Sequence, residues 1–115
     1  KLWQESAEAY ESLVKSFPKS YLAEVSLMAA AVCYEQAGDA QAAIGAYQRL
    51  NDRYAASFLL PHALFSLGRL HELAGDFPAA AQAYNSLEEK YPFSNWTKAA
   101  RNRIIDLKVQ GKITE

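Results

Sequence analysis

The sequence predicts an all-α protein made of a repeated pair of helices, and three observations carry that expectation. Alanine, the strongest helix former, supplies 21 of the 115 residues, whereas Val, Ile and Thr together supply ten. Five Gly and four Pro leave little turn-forming material for a β fold of many short strands. The chain also repeats itself every 37 residues. Ala37-Gly38-Asp39 recurs as Ala74-Gly75-Asp76, and Ala9-Tyr10 recurs as Ala46-Tyr47 and Ala83-Tyr84. Leu13, Leu50 and Leu87 keep the same step, as do Phe17, Tyr54 and Tyr91, then Ser20, Ser57 and Ser94. Residues 21–57 and 58–94 align without a gap. The length suffices for one domain with one core.

In order, the first helix is expected over 1–17, as the second helix of a truncated repeat spanning 1–20. A full repeat, 21–57, follows with helices over 21–37 and 40–54. The next, 58–94, has helices over 59–74 and 77–91, and 95–115 holds a terminal helix over 95–110. Gly38 and Gly75 suit the left-handed residue that ends a helix, where a Cβ would clash. Asp39 and Asp76 then cap the next helix, their carboxylates accepting from its unpaired N–H groups. Pro18 and Pro92 fall just past the second helices, and Ser20, Ser57 and Ser94 can cap the helices that follow. Gly68, Ala43 and Ala80 mark places where two helices approach closely. Lys1 is not a start methionine, so the chain is expected to be a fragment or a processed product.

These positions resemble the tetratricopeptide repeat, whose signature is W-x2-L-G-x2-Y, then A-x3-F, then P. Leu64, Leu67, Gly68, His71, Ala80, Tyr84, Leu87 and Pro92 fall on its key places in the second unit. Leu27, Ala30, Ala31, Tyr34, Ala43, Tyr47, Leu50 and Ala55 do so in the first. Leu stands at the Trp place, and three extra residues near Tyr21–Ala23 and Phe58–Leu60 are expected to lengthen the first helix of each unit. The resemblance implies an α-solenoid of antiparallel helix pairs, about six helices in a right-handed superhelix. It also implies a non-catalytic scaffold whose first helices line a concave groove for a partner peptide or helix. Carried over, the groove positions are Val25, Met28, Val32, Glu35 and Gln36, then His62, Phe65, Arg69, Glu72 and Leu73, then Asn102, Arg103 and Asp106. Packing on a neighbouring helix is an equal reading for Val25, Met28 and Val32. The Lys and Asn that clamp a chaperone's C-terminal carboxylate are absent, since Met28 and Phe65, Val32 and Arg69 stand there. The endings Phe17-Pro18-Lys19-Ser20 and Tyr91-Pro92-Phe93-Ser94 are similar to repeats of bacterial envelope proteins of the outer-membrane-assembly and Tol-Pal types. That similarity implies a periplasmic or cell-envelope location over a cytoplasmic one.

The chemistry-bearing residues point the same way. His62 and His71 lie on opposite faces of one helix and cannot share a metal. His71 is expected in the core, Cys33 as a small buried thiol, and Glu35 and Glu72 as repeat equivalents without the third group an acid/base pair needs. No phosphate loop, nucleophile elbow or metal cluster is legible, so neither enzyme activity nor a cofactor is expected. Asn95-Trp96-Thr97 matches a glycosylation sequon by its three residues alone. Net charge is −1, with −4 over residues 1–94 and +4 over 95–112. That balance argues against the rival reading, an RNA-binding helical repeat, which needs a basic groove. No apolar run is long enough for a membrane span.

The first helix carries two apolar stripes: Leu2, Ala9 and Leu13, then Trp3, Ala7, Tyr10, Val14 and Phe17. One is expected to stay uncovered, so either the parent protein continues N-terminally or the chain self-associates through residues 1–17, with Val14 as the telling position.

Overall fold

The computed structural model describes residues 2–114. Six helices follow one another: α1 (Leu2–Ser16), α2 (Tyr21–Gln36), α3 (Ala40–Arg53), α4 (Leu60–Leu73), α5 (Phe77–Lys90) and α6 (Asn95–Val109). No strand occurs among the described residues. Each helix ends within a residue or so of its expected bounds.

The repeat is visible in its caps. Gly38 and Gly75 both take φ of +82°, a conformation only glycine adopts cheaply, and there the chain reverses. Asp39 and Asp76 accept from the N–H groups of Ala42 and Ala79 at 3.1 and 3.2 Å, opening α3 and α5. Ser20, Ser57 and Ser94 accept from Leu22, Leu59 and Trp96 in the same way. In α2 the extra residues Tyr21–Ala23 are helical and do lengthen the helix. In α4 they do not: Phe58 and Leu59 form the entering turn, and the helix starts at Leu60. Pro61 explains the difference, because it lacks an N–H and belongs in a first turn.

The chain forms two compact units, residues 1–60 and 61–115. In the first unit, α1 and α3 both pack against α2. Where α2 packs against its neighbours it buries Ala23, Leu27, Ala30 and Ala31 fully, and α3 buries Ala43, Ala46, Tyr47 and Leu50. Small side chains let the helices approach, and Tyr47 and Leu50 fill what remains. In the second unit Leu64, Ala80, Tyr84, Leu87, Ala100 and Leu107 form the core, with Phe65, Phe77, Tyr91, Ile104 and Ile113 packed around it. A Cβ added at Gly68 would lie 2.3 Å from the Tyr84 ring, which is itself buried. The close helix approach expected at Gly68 is therefore present, as are the buried Ala43 and Ala80.

Two expectations need correction. Val14 is 4% exposed and sits with Ala7 on the face of α1 that packs against α2, so it is a core residue rather than the exposed edge. The uncovered apolar residues are Leu2, Trp3, Ala9 and Tyr10 of α1, with Phe17 just past its end. The second stripe was drawn too broadly: 100° per residue turns Tyr10 away from the line through Ala7 and Val14. His71 is half-buried rather than enclosed, although Cys33 is buried as expected.

Candidate partner-binding surface

In the first unit the groove positions lie on α2. Val25 and Val32 are exposed, and Gln36 is exposed at the helix end. Met28 is buried, so of its two expected readings, partner contact and packing on a neighbouring helix, the structure has packing. Glu35 is half-buried and accepts from the Tyr47 hydroxyl at 2.5 Å. At the start of α2, Tyr21 and Phe58 stack with ring centroids 6.0 Å apart, both more than half exposed. This face is aliphatic along its length and aromatic at one end.

In the second unit the face is aromatic and ionic. His62 stacks nearly parallel on Trp96, with centroids 4.2 Å apart. Phe65 tilts against both Trp96 and Tyr84, at 5.5 and 5.8 Å. Phe65 is half-buried against the core, so it is a packing residue with one accessible edge. Arg69 is half-buried and Leu73 is exposed at the end of α4. One turn beyond Arg69, Glu72 joins two groups, Tyr84 and Arg103. It accepts from Tyr84 Oη at 2.5 Å and from Arg103 Nη2 and Nε at 2.6 and 3.1 Å. Arg103 also reaches Asp106 at 3.0 Å, and Asn102 is exposed beside it.

Electrostatics follow from this network. Burial alone would raise the Glu72 carboxyl, but the hydrogen bonds from Arg103 and Tyr84 outweigh it and hold the group below the usual carboxylate range. Burial and the neighbouring carboxylate push the Tyr84 phenol up. A related cluster occurs in the first unit. Glu11 of α1 accepts from Arg49 of α3 at 2.5 and 3.0 Å and from Tyr34 Oη at 2.7 Å. The Arg49 hydrogen bonds lower Glu11 most, while burial and then Glu11 push the Tyr34 phenol up to about 12.

The structure thus brings together Glu72, Arg103 and Asp106, and links His62 to Phe65 through Trp96. Trp96 was invisible as a site residue, because its repeat counterparts Leu22 and Leu59 hold no groove position. Arg49 and Glu11 lie 38 residues apart, one more than the repeat, and only packing joins them. The sequon is explained otherwise: Thr97 is fully buried and donates its hydroxyl to the Tyr91 carbonyl. Among the described residues no His, Cys, Asp and Glu cluster could hold a metal, and no helix is long and apolar enough to cross a membrane.

Helix pairs with a Gly-Asp turn and a tyrosine folded onto the partner helix's glutamate define a helical-repeat protein. The tetratricopeptide repeat family matches residues 2–58 and 52–95, and the chain belongs to that family. Among curated proteins, none matches it. Repeats of this family generally mediate protein–protein interaction and are typically non-catalytic scaffolds.

Proposed function

We propose that this chain is a protein-interaction scaffold that holds a partner segment on the faces of its first helices. The observation that carries the reading is the exposed aliphatic line Val25 and Val32 on α2. Buried in water-free contact, such side chains contribute through area alone, so they suit a partner's apolar residues. The stacked His62 and Trp96, with the edge of Phe65, make the corresponding aromatic surface of the second unit. Arg69 and Asn102 supply polar chemistry at its margin. Glu72 and Arg103 are taken up by each other, so they shape this surface rather than bind.

Partner class follows from the same pattern: an extended or helical peptide with apolar anchors fits better than a nucleic acid. In the basic C-terminal run, Arg101 is bidentate to Glu88, and Arg103 is engaged by Glu72 and Asp106. Two of its five cations are thereby neutralised in place, which weakens it as a phosphate track. A periplasmic or cell-envelope setting is proposed on the aromatic-Pro-x-Ser endings alone.

Panning a random-peptide phage library against the 115-residue chain tests this reading. Enriched peptides should carry apolar anchors and lose binding to Val32→Lys or Trp96→Ala. Peptides that bind both variants as well as the parent would overturn it.

A further inference from the structure

We propose that the aromatic surface of the second unit takes a proline-rich segment in the polyproline II conformation, which rests on reading that surface as a peptide-binding face. A further aromatic residue adjoins the stack of His62 and Trp96. Phe93, three residues before Trp96, is 94% exposed. Its counterparts in the other turns, Lys19 and Ala56, are exposed as well, so this position faces solvent by the geometry of the repeat. The turn after α3 is followed by a whole further repeat and still leaves Ala55, Ala56 and Phe58 exposed. Lysine and alanine suit such a place, whereas an aromatic ring next to a second exposed one marks a contact surface.

The turn that carries Phe93 is stiff. Thr97 Oγ1 donates to the Tyr91 carbonyl, Arg101 Nη2 donates to the Pro92 carbonyl at 3.0 Å, and Ser94 accepts from the Trp96 N–H at 3.1 Å. Phe93 is thereby presented on a fixed backbone, which lowers the ordering cost of a contact. His62 holds Trp96 in the same sense, covering one face of the ring while the residue stays 37% exposed.

Hydrogen-bonding capacity selects the ligand. The carboxylates along this face are engaged, Glu72 by Tyr84 and Arg103, Asp106 by Arg103. The indole N–H of Trp96, which can only donate, bonds to no group among the described residues. A surface with a waiting donor and no waiting carboxylate suits a chain rich in carbonyls and poor in N–H groups. Proline has the carbonyl and lacks the N–H. A polyproline II segment needs no main-chain partner, and every third ring faces the same side, toward the aromatic residues.

Other binding modes fit less well. A peptide in β conformation needs a sheet edge, and no strand occurs among the described residues. An amphipathic helix needs apolar cover over several turns, whereas beyond Phe65 this face turns ionic at Glu72, Arg103 and Asp106.

Titration of the 115-residue chain with decaproline, followed by nitrogen-15 NMR, is the test. The chain has two tryptophans, so the indole signal that survives in Trp3→Phe is that of Trp96. Decaproline should shift this signal to saturation, and a glycine-serine decapeptide should not. Phe93→Ala changes only a solvent-exposed ring, so the fold is spared, and it should weaken decaproline binding about tenfold. A Trp96 signal that decaproline leaves unmoved overturns the proposal, as does equal binding by Phe93→Ala or by the glycine-serine peptide. If panning returns proline-free peptides that need Trp96 while decaproline moves nothing, the peptide-binding reading stands and the proline-rich ligand falls.

Discussion

The two repeats, 21–57 and 58–94, are copies that kept the same closure and changed the surface. Each has the Gly-Asp turn, the serine cap and a tyrosine hydroxyl donated to a glutamate twelve residues earlier, Tyr47 to Glu35 and Tyr84 to Glu72. Yet the first unit presents valines where the second presents a histidine, an arginine and, stacked nearby, a tryptophan. Closure tolerates little variation because it depends on close packing and paired buried polar groups, both costly to break. A solvent-facing side chain carries no such penalty, so the surface is where copies can diverge.

The sharpest difference inside the closure is Gly68 against its counterpart Ala31. Gly68→Leu would drive a side chain into the buried Tyr84 ring and should cost about 3 kcal/mol, read as a lower urea midpoint. A midpoint equal to the parent's would break the claimed equivalence of the two helix crossings.

Next in size is Phe65→Ala. Phe65 packs on the core and touches Tyr84 and Trp96, so truncation should destabilise by roughly 2 kcal/mol. Phe65 is thus both a packing residue and an edge of the proposed surface, so its truncation alone is a poor probe of binding.

The carboxylates extend the comparison to pH. Glu72 and Glu11 both have folded-state values held below 4.5, so each stabilises the fold above that value and loses the contribution as pH falls through its folded value. Arg103 is solvated at one end, which limits Glu72→Gln to about 1 kcal/mol at neutral pH. Urea titrations at several pH values should show that loss shrinking toward zero in acid. A loss that is the same at every pH would mean that the hydrogen bond, not the charge, matters.

The smallest effect belongs to the face of the first unit. Val32→Ala and Val25→Ala should change stability by less than about 0.5 kcal/mol, since both side chains are exposed. If thermal melts show a larger loss, these valines pack inside the protein and the proposed peptide surface shrinks to the second unit.

The sequence by itself determined the all-α class, the helix bounds, the caps and the repeat phase. Each depends on residues close in sequence: Gly38 must be followed by a helix start, and Asp39 caps a helix only three residues away. The same phase identified Gly68, whose packing follows from its place in the repeat. Tertiary structure decided which residues of each helix lie inside. Val14 went in and Tyr10 stayed out although both belong to one apolar stripe, because a helix buries only the arc its neighbour covers. It also decided the partners of charges far apart in the chain. Arg49 meets Glu11, and Arg103 meets Glu72. His62 stacks on Trp96, 34 residues later in the chain. A repeat dictates where a helix runs, whereas the contacts between helices follow from side-chain reach and direction in space, which no spacing along the chain records.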